Sequence, residues 1–124
     1  MPREFSRARR IEEQIKRELA SMISREVDAP QLGLVTFTAV SVTADLSLAK
    51  VYFTLLGAEV DEQTGEAIMN EASSHLRYCL SKVMTIRSVP RLRFYYDVSI
   101  ERGNKMEALL DEISREENST DSDS

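Results

Sequence analysis

The chain has 124 residues, of which 42% are hydrophobic and 30% charged, as expected of a folded globular domain with one hydrophobic core. It has no apolar run of the ~18 residues that a membrane span needs, no secretory signal in its first ten residues, and only one cysteine, which excludes an internal disulfide. The net charge of −5 conceals two basic segments, over residues 1–10 and 72–96, because residues 110–124 hold six acids against one base. We therefore expect a cytosolic, metal-independent domain that binds an anionic partner.

The first predicted helix has an apolar residue at every third or fourth position, which gives it one apolar stripe. Ser6 is expected to cap its N-terminus, and Pro30 and Gly33 end the segment. The stripe consists of Ala8, Ile11, Ile15, Leu19, Met22 and Ile23.

Two strands follow, over residues 35–43 and 48–56, and the linker between them is short enough for a hairpin. In the first strand the apolar phase slips between Ala39 and Val40, which predicts a bulge or burial on both faces. A third strand is predicted after Pro90, because apolar and polar residues alternate over residues 91–100.

Residues 61–87 are predicted to form two helices that meet at Ala72, Ser73 and Ser74, with Ser73 or Ser74 capping the second helix. A last helix is expected from Asn104. The order α-β-β-α-α-β-α favours an α+β domain, a three-stranded sheet with helices on one face. We expect one domain over residues 1–113 and a disordered acidic tail over residues 114–124, since residues 116–124 have no apolar side chain to bury.

Catalysis is poorly supported by the sequence. His75 and Cys79 are four residues apart and could touch on a helix, as in a Cys-His nucleophile, but Cys79 lies on the predicted apolar face, where free cysteines are usually inert. The sequence has no phosphate-binding loop, dinucleotide motif or nucleophile elbow. No cofactor is expected, and no metal, because one cysteine and one histidine cannot supply four zinc ligands.

Nucleic-acid binding is better supported, by basic residues that lack acidic neighbours. The predicted outer face of the helix after the junction combines bases with Tyr78, which can stack on an unpaired base, although an ordinary solvated face would have the same composition. Arginines at the start of the first helix oppose the helix dipole, which favours a bound anion. The candidate RNA-binding residues are Arg3, Arg7, Arg9, Arg10, Ser73, Ser74, His75, Arg77, Lys82, Arg87 and Arg91. Candidates for a second nucleic-acid surface, on the polar face of the sheet, are Arg91, Arg93, Tyr95, Lys50 and Tyr52, although an ordinary solvated sheet face rich in long side chains is the more common explanation of this pattern.

The element order is that of a type II KH domain, but no glycine lies between Gly65 and Gly103, so the Gly-x-x-Gly loop of that fold is absent. Together with several short motifs, this makes the chain strongly similar to the bacterial ribosome-binding factor A family over residues 3–110. The motifs are Pro30-x-Leu32-Gly33, Asp45-Leu46-x-x-Ala49-Lys50-Val51-Tyr52, Glu71-Ala72-Ser73, Val89-Pro90-x-Leu92-x-Phe94-x-Tyr96-Asp97-x-Ser99 and Gly103-x-x-Met106-x-x-Leu109-Leu110.

The resemblance implies a non-catalytic assembly factor that binds the free small (30S) ribosomal subunit, promotes late maturation and end processing of 16S rRNA, and is linked to growth in the cold. It also implies a cytoplasmic protein whose further partners are ribosomal proteins and assembly GTPases; we expect a monomer that binds no membrane. The family has a helix kink with an Ala-x-Gly pattern, whereas this chain has Ala72-Ser73-Ser74. A second hypothesis is a protein-interaction module that uses its sheet face to dimerise or to dock a partner enzyme.

Overall fold

The computed structural model describes the backbone of residues 3–99 and the side chains of residues 7–99. The predicted C-terminal helix from Asn104, the acidic tail and the domain boundary at residue 113 lie outside these residues. The described elements are α1 (Arg3–Glu26), a 3₁₀ turn (Pro30–Leu32), β1 (Leu34–Val42), β2 (Leu48–Leu56), α2 (Glu62–Glu71), α3 (Ser73–Val83) and β3 (Arg91–Tyr96). The predicted α+β, type II KH-like order is therefore confirmed over this part of the chain.

The three strands form a mixed sheet in the order β1-β2-β3. β1 and β2 pair antiparallel as the predicted hairpin, and β2 and β3 pair parallel. The register of the hairpin shifts between Phe37 and Ala39, so the predicted bulge exists but lies about two residues earlier than the slip in the apolar phase. The extra residue, Thr38, donates a hydrogen bond from its hydroxyl to the Asp97 carboxylate.

One face of the sheet carries the core, and the helices pack on it. The alternating residues of β2 and β3 that point inward are almost fully buried, and they meet the apolar stripe of α1 and the inner faces of α2 and α3. Burial of these side chains supplies the main driving force for folding. The largest fully buried side chains of the core are Phe53, Phe94, Ile15, Leu19, Leu32, Met69, Leu76 and Leu80.

Gly33 makes the tight passage from the 3₁₀ turn into β1. Its φ of 69° lies in the left-handed region, and a Cβ there would come within 2.4 Å of the Leu56 carbonyl oxygen. A side chain would therefore be both strained and overlapping. This explains why the segment that ends at Pro30 and Gly33 needs a glycine at its last position.

Three predicted boundaries are wrong. α1 begins at Arg3, so Ser6 lies inside the helix and does not cap it. β3 ends at Tyr96 instead of Ile100, because Asp97 accepts hydrogen bonds from the backbone N–H and hydroxyl of Ser99 and residues 98 and 99 are already helical.

The third error is the end of α3. The helix stops at Val83, which leaves Arg87 in the loop that leads to β3. Val83 is 47% exposed, although its spacing of three from Leu80 and seven from Leu76, both fully buried, is that of the apolar face of the helix.

Candidate nucleic-acid interface

A basic groove runs along the first turns of α3, the loop after it and the start of β3. It consists of two adjoining hollows of about 430 and 400 Å³ that share Ser74 and Arg77. We call the two hollows together the basic groove. The first is lined by Leu48, Asn70, Ser73, Ser74, Arg77, Arg91, Leu92 and Arg93, and the second by Ser74, Arg77, Tyr78, Ser81, Arg87, Ser88 and Val89.

The α2–α3 junction forms one wall of the groove and bends without glycine. Ala72 has φ −88° and ψ 0°, a negative-φ conformation that an alanine can adopt, and its N–H bonds back to carbonyls of the last turn of α2. The expected cap by Ser73 or Ser74 is wrong: Ala72 occupies the N-cap position, and α3 has no side-chain cap. The missing glycine therefore does not prevent the kink.

The N-terminus of α3 faces the groove. Leu76 N–H makes the first backbone bond of the helix, to the Ala72 carbonyl, so the N–H groups of Ser73, Ser74 and His75 belong to the open first turn. Such N–H groups and the positive end of the helix dipole favour an anion. Ser73 and Ser74, two of the candidate RNA-binding residues, both line the groove.

Arg77 connects α3 to the loop that precedes β3, below the groove. Its Nε donates a hydrogen bond to the Val89 carbonyl at 3.0 Å, which ties α3 to the residue before Pro90. The side chain is half-buried, although the helical pattern predicted it on the outside of α3. The guanidinium still lines both hollows, so one arginine contributes to packing and to the charge of the surface.

The free edge of β3 forms the opposite wall. The Asn70 side chain bonds both backbone groups of Phe94, at 2.9 Å and 2.8 Å, and Glu66 accepts from Tyr96 N–H at 2.7 Å, so α2 covers this part of the edge. Backbone groups alternate in direction along a strand, so those of Leu92 face outward as well. Within residues 7–99 no side chain forms a hydrogen bond with the N–H or C=O group of Leu92, so the groove has one backbone donor and one backbone acceptor at this edge.

The groove is strongly positive. None of its lining residues is acidic, and among residues 7–99 none of its four arginines forms an ion pair with a carboxylate. Arg87, Arg91 and Arg93 are exposed. Unpaired guanidinium groups on a concave surface suit the phosphate oxygens of a nucleic-acid chain, since arginine binds them bidentately.

The structure separates two predicted RNA-binding residues of α3 from the groove lining. His75 turns towards α1, where its Nε2 lies 2.8 Å from Glu26 Oε1. Lys82 is exposed near the end of α3, with its Nζ 4.8 Å from the centre of the Tyr78 ring. A side-chain hydrogen bond with Tyr78 raises the pKa of Lys82, whose ammonium is charged at neutral pH even at its ordinary pKa.

The arginines of α1 form a separate exposed surface. Arg7, Arg9 and Arg10 lie in the first turns of the helix, and the side chain of Arg3 is outside the described atoms. Glu12 accepts a hydrogen bond from Val42 N–H at 2.9 Å, which fixes these turns beside the end of β1. Val42 pairs with Ala49 and Ala49 with Leu92, so Leu92 of the groove lies two strand spacings, about 10 Å, from Val42.

The outer face of the sheet carries aromatic and basic side chains. The rings of Tyr52 and Tyr95 stack with their centres 5.6 Å apart, and the Arg93 guanidinium lies 6.0 Å from the Tyr95 ring. Lys50 of β2 lies beside Arg93 of β3 in the strand register. Arg93 thus links the groove to this face. Arg93, Leu48 and Asn70 were not predicted to line this groove. A signal existed for Arg93, because residues two apart in a strand lie on the same side, and Arg93 is two residues after Arg91.

The geometry does not favour a Cys-His nucleophile. Cys79 Sγ lies 3.6 Å from His75 Nε2, the same nitrogen that contacts Glu26, so the imidazole cannot be oriented through one nitrogen while it takes a proton at the other. Burial, followed by the nearby Glu26 carboxylate, raises the pKa of the Cys79 thiol. A protonated thiol is a weak nucleophile.

Glu26, His75 and Cys79 are the only described group of three His, Cys, Asp or Glu side chains within residues 7–99 that could hold a metal ion. The sequence predicts no metal site, and the position of Glu26 in the sequence does not indicate that it lies beside His75 and Cys79. In the same part of the chain, no helix is both long and apolar enough to span a membrane.

Comparison with known proteins gives a consistent result. The family model for ribosome-binding factor A matches residues 7–110. The ribosome-binding factor A of Nitrosococcus oceani is 45% identical over 123 residues, covering 99% of this chain and 97% of that protein. The corresponding protein of Stutzerimonas stutzeri is 44% identical over 120 residues, covering 94% and 93%.

Solved structures give the same result. The crystal structure of ribosome-binding factor A from Thermus thermophilus matches with a TM-score of 0.64 at 29% identity, covering 72% of this chain and 94% of that one. A homology model of the Thermus thermophilus factor, fitted into a cryo-EM map of a 30S complex, matches with a TM-score of 0.62 at 29% identity, covering 72% and 93%.

Proposed function

The chain belongs to the ribosome-binding factor A family, and we propose that it binds the free small ribosomal subunit and promotes late maturation of 16S rRNA, including processing of its ends, without catalysing a reaction itself. A relative fitted into a map of a 30S complex supports the choice of subunit. We expect it to act as a monomer in the cytoplasm, alongside ribosomal proteins and assembly GTPases, and to matter most for growth in the cold.

The basic groove is the observation that carries this proposal. Four arginines line it, no carboxylate neutralises them within the described residues, and the first turn of α3 adds backbone donors. Leu92 offers an edge donor and acceptor that could read an unpaired base, while the arginines bind phosphates. These features fit a single-stranded rRNA segment better than a small anion, because they extend over two adjoining hollows.

The proposed mechanism is selection of one rRNA arrangement. An immature segment near the decoding region would lie in the groove, and Arg7, Arg9 and Arg10 of α1 would contact a neighbouring part of the RNA backbone. A protein that binds one arrangement better than another shifts the population towards it. While bound, it would also block premature joining of the large subunit.

Co-sedimentation tests the proposal. The purified protein is mixed with small subunits, large subunits and joined ribosomes at low and high salt, with an Arg87→Ala/Arg91→Ala variant beside the wild type. We expect salt-sensitive binding to free small subunits alone, weakened in the variant, because phosphate contacts release counterions.

Two results would contradict the proposal. Equal binding to joined ribosomes would show that the free subunit is not selected. Binding to none of the particles would make the second hypothesis, a protein-interaction module that uses the sheet face with Tyr52 and Tyr95, the working account.

A further inference from the structure

Three metal-binding side chains meet where the end of α1 packs on α3. They are Glu26 from the last turn of α1, and His75 and Cys79 from α3, and their donor atoms all lie within 4.8 Å of one another. Glu26 Oε1 is 2.8 Å from His75 Nε2, and that nitrogen is 3.6 Å from Cys79 Sγ. None of the three lines the basic groove.

The fold fixes this arrangement from both sides. His75 and Cys79 are one helical turn apart, which puts them on the same face of α3. Core residues of α1 and α3, among them Ile23 and Leu76, pack in one cluster and hold the two helices together beside them. The side chains of Glu26 and His75 are 27% and 53% exposed, so an ion and a water molecule have access from solvent.

The distances suit tetrahedral zinc. Zinc–nitrogen and zinc–sulfur bonds of about 2.1 and 2.3 Å at the tetrahedral angle separate the two ligand atoms by about 3.6 Å. The distance between His75 Nε2 and Cys79 Sγ has this value already. The Glu26 oxygen would have to move away from Nε2 by about 0.6 Å, which a small rotation of this partly exposed side chain allows.

We propose that Glu26, His75 and Cys79 bind one zinc ion, with water as the fourth ligand. Thiolate and imidazole are ligands that zinc prefers, whereas magnesium and calcium take oxygen ligands almost exclusively. The ion would connect the last turn of α1 to the first turns of α3, next to Ser74 of the groove.

Metal binding must displace a proton from Cys79. Without metal, burial and then the Glu26 carboxylate raise the pKa of this thiol, and the hydrogen bond with His75 lowers the pKa of Glu26. Zinc binds the thiolate and releases the thiol proton, so the apparent affinity should increase as the pH rises towards the pKa of the thiol.

Cobalt(II) titration followed by zinc competition tests the site on the full chain. We expect a 1:1 complex with a thiolate-to-cobalt charge-transfer band, which zinc abolishes. Cys79→Ser should lose the band, and His75→Gln or Glu26→Gln should weaken zinc by about tenfold or more. Glu13→Gln, which removes an exposed carboxylate from the same helix, is the matched control and should bind as the wild type does.

Thermal unfolding supplies a second readout. Zinc bound only by the folded chain raises the Tm, and we expect this rise in the wild type and in Glu13→Gln but not in Cys79→Ser. Circular dichroism establishes that each variant is folded. Absence of a charge-transfer band in the wild type, or zinc affinity unchanged in both His75→Gln and Glu26→Gln, would overturn the proposal and leave the three side chains as a hydrogen-bonded cluster.

Discussion

The two basic regions of this protein have similar charge but different shape. The arginines of α1 are exposed on the convex surface of one helix, whereas the groove collects arginines from α3, the following loop and β3 around two hollows. A concave surface can bring several donors to one stretch of backbone, and a convex one can bring few. Charge in the local sequence therefore identifies a basic region, but it does not show how many of its residues can contact one ligand.

The regions also differ in how firmly their arginines are held. Arg77 is fixed by its bond to the Val89 carbonyl, and the groove wall is fixed by the contacts of Asn70 with Phe94. Arg7 and Arg10 have no such described contact with the body of the protein. Ordering an arginine on RNA costs side-chain entropy, and in the groove the fold already meets that cost for one of the four arginines. The other three are exposed, and their expected advantage is the concave surface that brings them to one stretch of RNA backbone. We therefore expect the groove to supply most of the affinity and the α1 arginines a smaller, screened contribution.

The largest expected effect comes from removing two exposed groove arginines. Arg87→Ala/Arg91→Ala should weaken binding to the small subunit by on the order of 100-fold, because each charge-assisted contact to phosphate contributes about 1.5–3 kcal/mol. Quantitative co-sedimentation at fixed salt measures it. The matched control, Arg7→Ala/Arg10→Ala, removes the same charge from α1 and should cost about tenfold or less. A larger loss of affinity in the α1 variant than in the groove variant would make α1 the principal contact surface.

Salt dependence sharpens the same comparison. Each phosphate contact to a single strand adds about −0.7 to the slope of log K against log salt concentration. The groove double variant should therefore lose about 1.4 of the slope, whereas the α1 double variant should lose clearly less. Affinity measured over a series of salt concentrations gives both values. Equal losses would show that the two regions make equal numbers of phosphate contacts.

Arg77 should differ from Lys82, although both belong to α3. Arg77→Ala removes a half-buried stem and leaves the Val89 carbonyl without its donor, so it should lower the free energy of unfolding by about 1–2 kcal/mol as well as weaken binding. Lys82→Ala should leave the Tm within about a degree of the wild type, since surface substitutions have small effects. Thermal unfolding of both variants checks this, and an unchanged Tm in Arg77→Ala would show that the bond to Val89 does not stabilise the fold.

The smallest effect is expected at the kink. Ser74→Gly restores the Ala-x-Gly pattern of the family, but the bend is made at Ala72 with a negative φ. We expect a loss of about 0.5–1 kcal/mol of stability from the greater freedom of glycine in a helix, and no gain in subunit affinity. Tighter binding by Ser74→Gly would mean that the kink angle of this chain is not the one that RNA prefers.

Elements with a regular apolar pattern were predictable from the sequence. The stripe of α1 and the alternation in β2 reflect burial on one face, so element types and order follow from them. The end of β3 was not predictable, because the alternation of apolar and polar residues continues past Tyr96. In the structure the Asp97 carboxylate accepts hydrogen bonds from Ser99, and residues 98 and 99 are helical. The missing cap at Ser73 or Ser74 was not predictable either, because the chain bends one residue earlier, at Ala72, so that both serines already lie inside α3.

The candidate site was predictable only in part. Clustered charge identified Arg87 and Arg91 but also His75 and Lys82, since composition does not show which side chains converge. The contact of His75 with Glu26 joins residues 49 apart in the chain and depends on how α1 crosses α3, for which the sequence has no local signal. Arg77 was placed outside because periodicity gives the direction of a side chain but not the loop that packs over it.

Directed hydroxyl-radical probing shows whether the basic groove contacts rRNA on the subunit. Two single-cysteine proteins are made in a Cys79→Ser background. One has Ser88→Cys, in the groove, and the other has Glu59→Cys, at an exposed position outside the groove. An iron chelate is attached to the cysteine of each protein before it is bound to the subunit. We expect strong cleavage of 16S rRNA at a confined set of nucleotides from position 88 and weak cleavage from position 59. Strong cleavage from position 59 with none from position 88 would contradict it.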